Sequence, residues 1–225
     1  ALGYDSSIEG YTGANWTVNV IKQAVGIGLD DGNDNFVGSQ AVTREEAARR
    51  IADGTLTDVL NAVPVKAGDV FFIDAGTVHA IGAGILIAEI QQNSNTTYRV
   101  FDYGRLGADG KPRALHVEKA LDVARLCPPE RPAGPVGKPE QNGDCTSTLL
   151  AKCGYFTARL LDVAGSAPLC ADGESFHSLL CLSGSGAVIC GGGAVPFAKG
   201  DSLFLPAGLG AYTIAGRAQL VLTTL

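Results

Sequence analysis

The chain has 225 residues, with 17 Lys and Arg against 23 Asp and Glu, and a formal net charge of −6. Because nucleic-acid phosphates attract clustered basic side chains, this charge argues against a nucleic-acid partner. No apolar run approaches the roughly 18 residues of a membrane-spanning helix, so we expect no membrane partner either. Thirty Gly and ten Pro indicate many turns, as in an all-β protein.

Six cysteines are present, and none of them forms a CxxC pair. They are Cys127, Cys145, Cys153, Cys170, Cys181 and Cys190. A disulfide framework is unusual in a chain of this size without a visible secretory signal. We therefore predict free thiols, packed as small apolar side chains, and a protein of the reducing cytoplasm.

The first helix signal follows a region that favours loops and strands. Residues 1–15 are rich in Gly and Ser and predict a loop, residues 16–29 are β-branched and predict one or two strands, and residues 30–35 predict a turn. Thr43 and Glu46 then form a capping box, and Gly54 stands where a helix-ending glycine belongs. The pattern predicts a helix over 43–53, and residues 55–63 favour another turn or two, to about residue 60.

Residues 65–102 carry the densest strand signals in the chain. Strands are predicted over 70–73, 77–81, 85–91 and 96–103, separated by a turn at 74–76, a Gly turn at 82–84 and a polar loop at 92–95. Four short strands with tight turns indicate an antiparallel barrel or sandwich.

After a predicted loop over 104–114, the remaining chain divides by composition. Residues 116–126 have apolar side chains at helical spacing and predict an amphipathic helix. Residues 127–145 contain five prolines and predict an irregular linker. Residues 146–225 show only strand signals and predict a second all-β unit.

An internal repeat relates the two halves at an offset of 132 residues. It pairs Gly68 with Gly200, Asp69 with Asp201, Phe72 with Phe204, Ala75 with Ala207 and Gly76 with Gly208. The halves are therefore predicted to share one β unit. At the same offset His79 pairs with Ala211, so the imidazole is present in one copy only.

His79 has two interpretations at this stage. A His on an inward-facing strand suits a metal ligand, because neutral imidazole binds Zn²⁺ or Fe²⁺. The other interpretation is a structural histidine. One His cannot hold a metal alone, and the nearby candidates are Asp74, Glu89, Gln91 and Gln92.

Arg99 and the two remaining histidines also have alternative interpretations. An inward Arg99 would bind a phosphate or stabilise a developing oxyanion, whereas an outward Arg99 would be a surface residue. We interpret His116, at the start of a helix, as a surface residue, and His177 as structural.

Three segments occur together and in order: AGTVHAIG at 75–82, EIQQNSNTTYR at 89–99 and LHVEKALDV at 115–123. Together they resemble the short bacterial type I mannose-6-phosphate isomerases, which are cupins. The resemblance covers about residues 40–126, and residues 146–225 resemble the family's second, metal-free barrel. It implies an all-β-dominated chain of two cupin-type (jelly-roll) β-barrels with a few short helices.

The expected organisation combines this resemblance with the element pattern. Residues 1–126 form the first barrel, which carries the metal site, is incomplete at its N-terminal side, and includes helices at about 43–60 and 116–126. Residues 127–145 are the Pro-rich linker, and residues 146–225 form the second, degenerate barrel.

The resemblance also implies a cofactor, one Zn²⁺ per chain. In this family zinc is held by a Gln, a Glu and two His, and His79 matches one of these histidines. Residues 1–13 resemble the segment after the family's Gln–His motif, so we expect the chain to begin just downstream of it. Residues 13–16 stand where the family's Glu motif lies, without a Glu.

The implied activity is the interconversion of mannose 6-phosphate and fructose 6-phosphate, with a small sugar phosphate as the partner. A proton moves between C1 and C2 through a cis-enediol, assisted by zinc. Arg99 matches the family's active-site Arg, as catalytic and substrate-binding residue, and Gln91 lies in the substrate-binding strand. A catalytically inactive cupin that binds a sugar or sugar phosphate is the alternative, and we expect a monomer or weak dimer.

Overall fold

The structure is a computed structural model that describes residues 18–20, 24–28, 35–38, 41–81, 85–94, 96–102, 106–128 and 133–225. The expected loop over 1–15 and the Gly turn at 82–84 lie outside these ranges, as does most of the expected turn at 30–35. Within them the chain is mostly β, with two α-helices. No helix in these ranges is long and apolar enough to cross a membrane.

Helix α1, Arg44–Asp53, confirms the prediction made from its end signals. The Thr43 Oγ1 accepts a hydrogen bond from the Glu46 amide at 3.1 Å, which satisfies one of the free amides of the first turn. Gly54 ends the helix at φ 77°, in the left-handed region where a side chain would be strained. Ala47 and Ile51 are buried on one face of the helix.

The expected further turn of helix before residue 60 is confirmed as a short 3₁₀ helix, Leu56–Val59, but residues 60–63 form a strand, Leu60–Val63, rather than more helix. That strand pairs with Asn35–Gly38, and these long-range backbone hydrogen bonds override a weak local helix preference in a segment rich in β-branched residues. Helix α2, Val117–Val123, is also shorter than the expected 116–126, because Ala124 is already extended.

The N-terminal strands form a five-stranded sheet and a three-stranded sheet. In chain order they are β1 (Val18–Val20), β2 (Ala24–Gly28), β3 (Asn35–Gly38), β4 (Leu60–Val63), β5 (Val70–Ile73), β6 (Val78–Ala80), β7 (Ile87–Gln91) and β8 (Tyr98–Phe101). The five-stranded sheet has the order β4-β3-β6-β1-β8, and the other has the order β5-β2-β7. The one or two strands predicted over 16–29 are observed as two, β1 and β2, whereas β3 was not expected.

The C-terminal strands form one antiparallel sheet without any helix, as the sequence predicts. They are β9 (Glu140–Asn142), β10 (Cys145–Lys152), β11 (Thr157–Val163), β12 (Ser166–Ala171), β13 (His177–Cys190), β14 (Gly193–Ala198), β15 (Ser202–Leu205) and β16 (Gly210–Thr224). Its order is β14-β13-β16-β11-β10-β9, with β12 also paired to β16 and β15 to β13. The sheet is not closed, and β9 lies within the segment expected to be linker.

Three buried clusters fix how these layers pack. One joins α1 and α2 to the five-stranded sheet through Ala80 and Val100. A second fills the inner face of the C-terminal sheet. The third joins the halves, because Val70 and Ala88 of the three-stranded sheet pack with Leu150 and other C-terminal residues.

The predicted repeat is visible in the turn that precedes the site strands. The Asp69 Oδ2 accepts from the Lys66 amide at 3.0 Å, and the Asp201 Oδ2 accepts from the Ala198 amide at 2.8 Å. The glycines beside these two Asp residues, Gly68 and Gly200, have φ of 90° and 93°. The two copies therefore build the same turn with the same atoms.

All six cysteines lie in the described ranges, and all are free thiols. Cys145 and Cys181 are buried, as expected of small apolar side chains, and burial raises the pKa of both thiols. Cys127 and Cys170 are exposed, so the packing expectation is wrong for these two.

Candidate functional site

Backbone pairing places His79 and Arg99 in one row across the five-stranded sheet. His79 on β6 pairs with Asn19 on β1, and Asn19 pairs with Arg99 on β8. Residues paired in this way carry their side chains on the same face of a sheet. Because neighbouring strands lie about 4.8 Å apart, the two Cα atoms are separated by roughly 10 Å.

This row lies on the face of the sheet turned away from the helices. Ala80 and Val100, the next residues along β6 and β8, are buried against α1 and α2. Side chains alternate between the faces of a strand, so His79 and Arg99 point to the opposite side. The sequence pattern had placed both residues on strands, and the register adds that they share a face.

The environment of His79 selects its neutral form and its tautomer. The residue is 7% exposed, and burial lowers the pKa of its imidazole, with the Thr77 carbonyl opposing this in part. The Nδ1 lies 2.9 Å from the Thr77 oxygen. Since a carbonyl can only accept, Nδ1 carries the proton and Nε2 keeps its lone pair, which is the arrangement of a metal-ligating histidine.

Arg99 is held on the sheet by its backbone and by one side-chain contact. Its side chain is 21% exposed, which excludes a freely exposed surface residue. One Nη donates to the Ala114 carbonyl at 3.2 Å, while Nε is buried and makes no hydrogen bond within the described residues. The Oδ2 of Asp102 lies 4.0 Å from Nε. The guanidinium thus keeps donors for an anionic group.

Two neighbours of Arg99 were not recognised from the sequence. His116, expected at the surface, exchanges hydrogen bonds with the Arg99 backbone: its Nδ1 accepts from the Arg99 amide at 3.1 Å, and its own amide donates to the Arg99 carbonyl at 2.8 Å. Asp102 is 6% exposed and is gripped by Arg113, whose Nε donates to Oδ2 at 2.5 Å. No local signal marks either pair, because each joins residues at least 11 positions apart.

The other candidate ligands lie in different settings. Asp74 is engaged by Arg125, with Nη1 and Oδ2 3.6 Å apart. Glu89 is half-buried on β7, and burial raises the pKa of its carboxyl. Its neighbours Ala88 and Ile90 pack towards the C-terminal sheet, so Glu89 and Gln91 point to the other face of β7. Gln91 itself is exposed.

The structure corrects the comparison of His79 with Ala211. Ala211 is exposed, whereas the next residue, Tyr212, is 3% exposed and belongs to the inner cluster of the C-terminal sheet. Gly210, two residues before Tyr212, has a φ of 81°. The buried position of the second copy therefore holds the ring of Tyr212, whereas the sequence offset pairs His79 with the methyl group of Ala211.

Comparison with known proteins adds the decisive observations. The family described as "Mannose-6-phosphate isomerase, cupin domain" matches residues 146–225. The mannose-6-phosphate isomerase ManA of Bacillus subtilis is 40% identical over 188 residues, which are 84% of this chain and 59% of that protein. Residues 146–225 thus resemble the cupin domain of mannose-6-phosphate isomerases, and most of the chain is similar to such an enzyme. The mannose-6-phosphate isomerase of Streptococcus mutans is 34% identical over 195 residues, 87% of this chain and 60% of that protein.

Solved structures of mannose 6-phosphate isomerases also match this chain. The crystal structure of the B. subtilis mannose 6-phosphate isomerase matches with a TM-score of 0.85 and 27% identity, over 94% of this chain and 72% of that one. The apo form from Salmonella typhimurium matches with a TM-score of 0.66 at 13% identity, over 90% and 66%, and shows the fold alone. The chain spans about 60% of the length of the curated relatives it matches.

Proposed function

We propose that this chain carries the catalytic face of an isomerase that interconverts mannose 6-phosphate and fructose 6-phosphate. The observation that supports this most directly is the row that aligns His79 with Arg99 on one face of the five-stranded sheet. The buried neutral imidazole of His79 and the guanidinium of Arg99, which has unused N–H donors, suit the two ends of a sugar phosphate. The relatives named above carry this activity in their names.

We also propose that each half is a jelly-roll barrel, with a first domain at 1–126, a linker at 127–145 and a second domain at 146–225. His79 is buried although the helices cover only the opposite face of its sheet, so another layer must cover the imidazole. We infer that the three-stranded sheet closes over it as the second wall. A crystal structure of the complete protein tests this closure.

The metal of this proposal is one zinc ion, and His79 fits it as a ligand through the free Nε2 lone pair. Within the described residues no cluster of three or more His, Cys, Asp or Glu could hold a metal ion. The proposed remaining ligands therefore come from outside those residues. When bound, zinc supplies polarisation of the sugar oxygens.

The proposed roles of the protein's own residues follow from their settings. Arg99 binds the phosphate or the enediolate oxygen with its unused donors, and Gln91, at the exposed end of β7, binds sugar hydroxyls. His116 and Asp102 position Arg99 through the backbone bonds and the nearby carboxylate. Glu89, whose pKa is raised by burial, is a carboxyl that could exchange a proton with the substrate.

A coupled assay of fructose 6-phosphate formation by the complete, zinc-loaded protein tests the proposal. Arg99→Lys should lower kcat/KM by roughly 100-fold or more, because removing one donor to a developing oxyanion typically costs this much. The matched control is Arg49→Lys, on the exposed surface of α1. A zinc-loaded protein that binds mannose 6-phosphate without turnover would instead establish the inactive sugar-phosphate-binding cupin. We expect the protein to act in the cytoplasm as a monomer or weak dimer.

A further inference from the structure

The inner face of the C-terminal sheet changes from apolar to polar towards one end. On each of four neighbouring strands, β10, β11, β16 and β13, one residue belongs to the apolar core. The residue two positions closer to this end lies on the same face and is polar. The pairs are Cys145 and Ser147 on β10, Leu161 and Arg159 on β11, Leu222 and Thr224 on β16, and Leu179 and His177 on β13. Because these strands are antiparallel, all four polar positions meet at the same end.

These polar positions line a cavity of about 400 Å³. Leu161, Ala167, Leu169 and Leu222 give it an apolar lining, while Thr157 adds a hydroxyl to the polar end. The volume falls within the usual range for small-molecule sites, roughly 300–1,000 Å³, and the combination of apolar wall and few polar groups is typical of them. The cavity lies on a different sheet from His79 and Arg99.

Arg159 supplies the charge of this cavity. Its Nη1 donates to the Ser147 Oγ at 3.3 Å, and the guanidinium makes no ion pair within the described residues. A guanidinium has five N–H donors, so most of them remain for a ligand. The carboxylate of Glu140 also lines the cavity, but that residue is exposed and screened by water.

His177 is fixed at the same end by a buried partner. Its Nδ1 lies 2.7 Å from the hydroxyl of Tyr212, and the two rings meet edge to face with centroids 5.7 Å apart. This contact holds the imidazole in place and leaves Nε2 as its second polar atom. Burial lowers the pKa of His177, which keeps the ring neutral and able to bond a hydroxyl.

We propose that this cavity is a second ligand site, which binds a small hydroxylated anion such as a sugar phosphate or a sugar carboxylate. Arg159 holds the anionic group. The hydroxyls of Ser147, Thr157 and Thr224 and the imidazole of His177 hold the ligand's hydroxyls, and the apolar lining contacts its carbon skeleton. The site has no catalytic role, so it does not depend on the isomerase activity.

Amide NMR titration of the complete protein tests the site. Inorganic phosphate and gluconate represent the two anionic groups, and mannitol is the neutral control. We expect saturable shifts at the amides of Ser147, Thr157 and Thr224 with one or both anions, and none with mannitol. Saturation by phosphate alone identifies a phosphate ester, and saturation by gluconate alone identifies a carboxylate. Shifts that do not saturate with either anion, or that mannitol reproduces, overturn the proposal.

Substitutions then distinguish a specific contribution of Arg159 to binding from a general effect of positive charge on the sheet. Arg159→Met should weaken binding at least tenfold, whereas Arg217→Met, which removes an exposed cation from the same sheet, should leave it unchanged. Equal affinity of the Arg159→Met protein overturns the assignment. If that variant does not fold, Arg159→Lys preserves the charge but not the fork of donors, and an unchanged affinity there likewise counts against it.

Discussion

Gly76 and Gly208 form a matched pair for testing what the turn before β6 requires. The repeat makes them equivalent, and both have positive φ, 85° and 78°. A Cβ added to Gly208 would meet nothing within 4 Å. A Cβ added to Gly76 would overlap the backbone oxygen of Val123 and lie 3.2 Å from the Arg125 Cγ. Replacement by alanine therefore tests backbone strain alone at Gly208, and backbone strain plus a steric clash at Gly76.

The magnitudes follow from these two settings. Placing Ala in the left-handed region costs about 1 kcal/mol, which is the whole expected effect of Gly208→Ala. For Gly76→Ala the overlap involves backbone rather than a flexible side chain, so α2 and the turn must separate, and overpacking of this kind adds about 2 kcal/mol. The free energy of unfolding should fall by about 3 kcal/mol for Gly76→Ala, about 2 kcal/mol more than for Gly208→Ala.

Urea unfolding followed by far-ultraviolet circular dichroism measures this difference, with the same denaturant slope required of both variants and the parent. The clash also separates two bonded segments, because the Arg125 amide donates to the Gly76 carbonyl at 2.8 Å. Amide hydrogen exchange at Arg125 should therefore accelerate in Gly76→Ala and stay unchanged in Gly208→Ala. Equal losses of stability in the two variants would refute the packing argument.

Three further predictions concern single contacts. Thr43→Ala should lower the free energy of unfolding by about 1 kcal/mol in urea, because the Glu46 amide loses its cap. Leu179→Ala should cost about 3 kcal/mol by the same measurement, since Leu179 is fully buried and its loss leaves a cavity. Burial depresses the pKa of His177 below 6.5, so its contribution is complete above pH 6.5 and is lost as pH falls from there towards the folded-state pKa. Unfolding between pH 7 and 5 should show a shallower loss in His177→Gln than in the parent.

Local signals were sufficient where the structure itself is local. The capping box at Thr43 and the glycine at position 54 set the ends of α1 within one residue. The turn at Gly68 was predictable, and so was its copy at Gly200, because an Asp side chain and a positive-φ glycine are adjacent in sequence. The strands of residues 70–101 follow from the same kind of pattern.

Long-range pairing accounts for the parts that were missed. Leu60–Val63 became a strand because β3 pairs with it, and no pattern within residues 55–63 indicates that partner. The hydrogen bonds between His116 and Arg99 join positions 17 apart in sequence. The sequence also could not show that His79 and Arg99 lie on the same face of the sheet. A shift of one residue in the pairing of β6 would have turned the side chain of His79 towards the helices.

The burial of Tyr212, next to Ala211, changes what the repeat says about the two copies. With Tyr212 at the interior position, the second copy is not the first copy with a ligand removed, because a ring of similar size fills the place. Burial raises the pKa of the Tyr212 phenol, and its hydroxyl is paired with His177. The polar end of the C-terminal sheet thus has an organised hydrogen-bonding set of its own. Because buried polar groups in native proteins are generally paired, Tyr212 holds the ring of His177 in place at the polar end of the cavity.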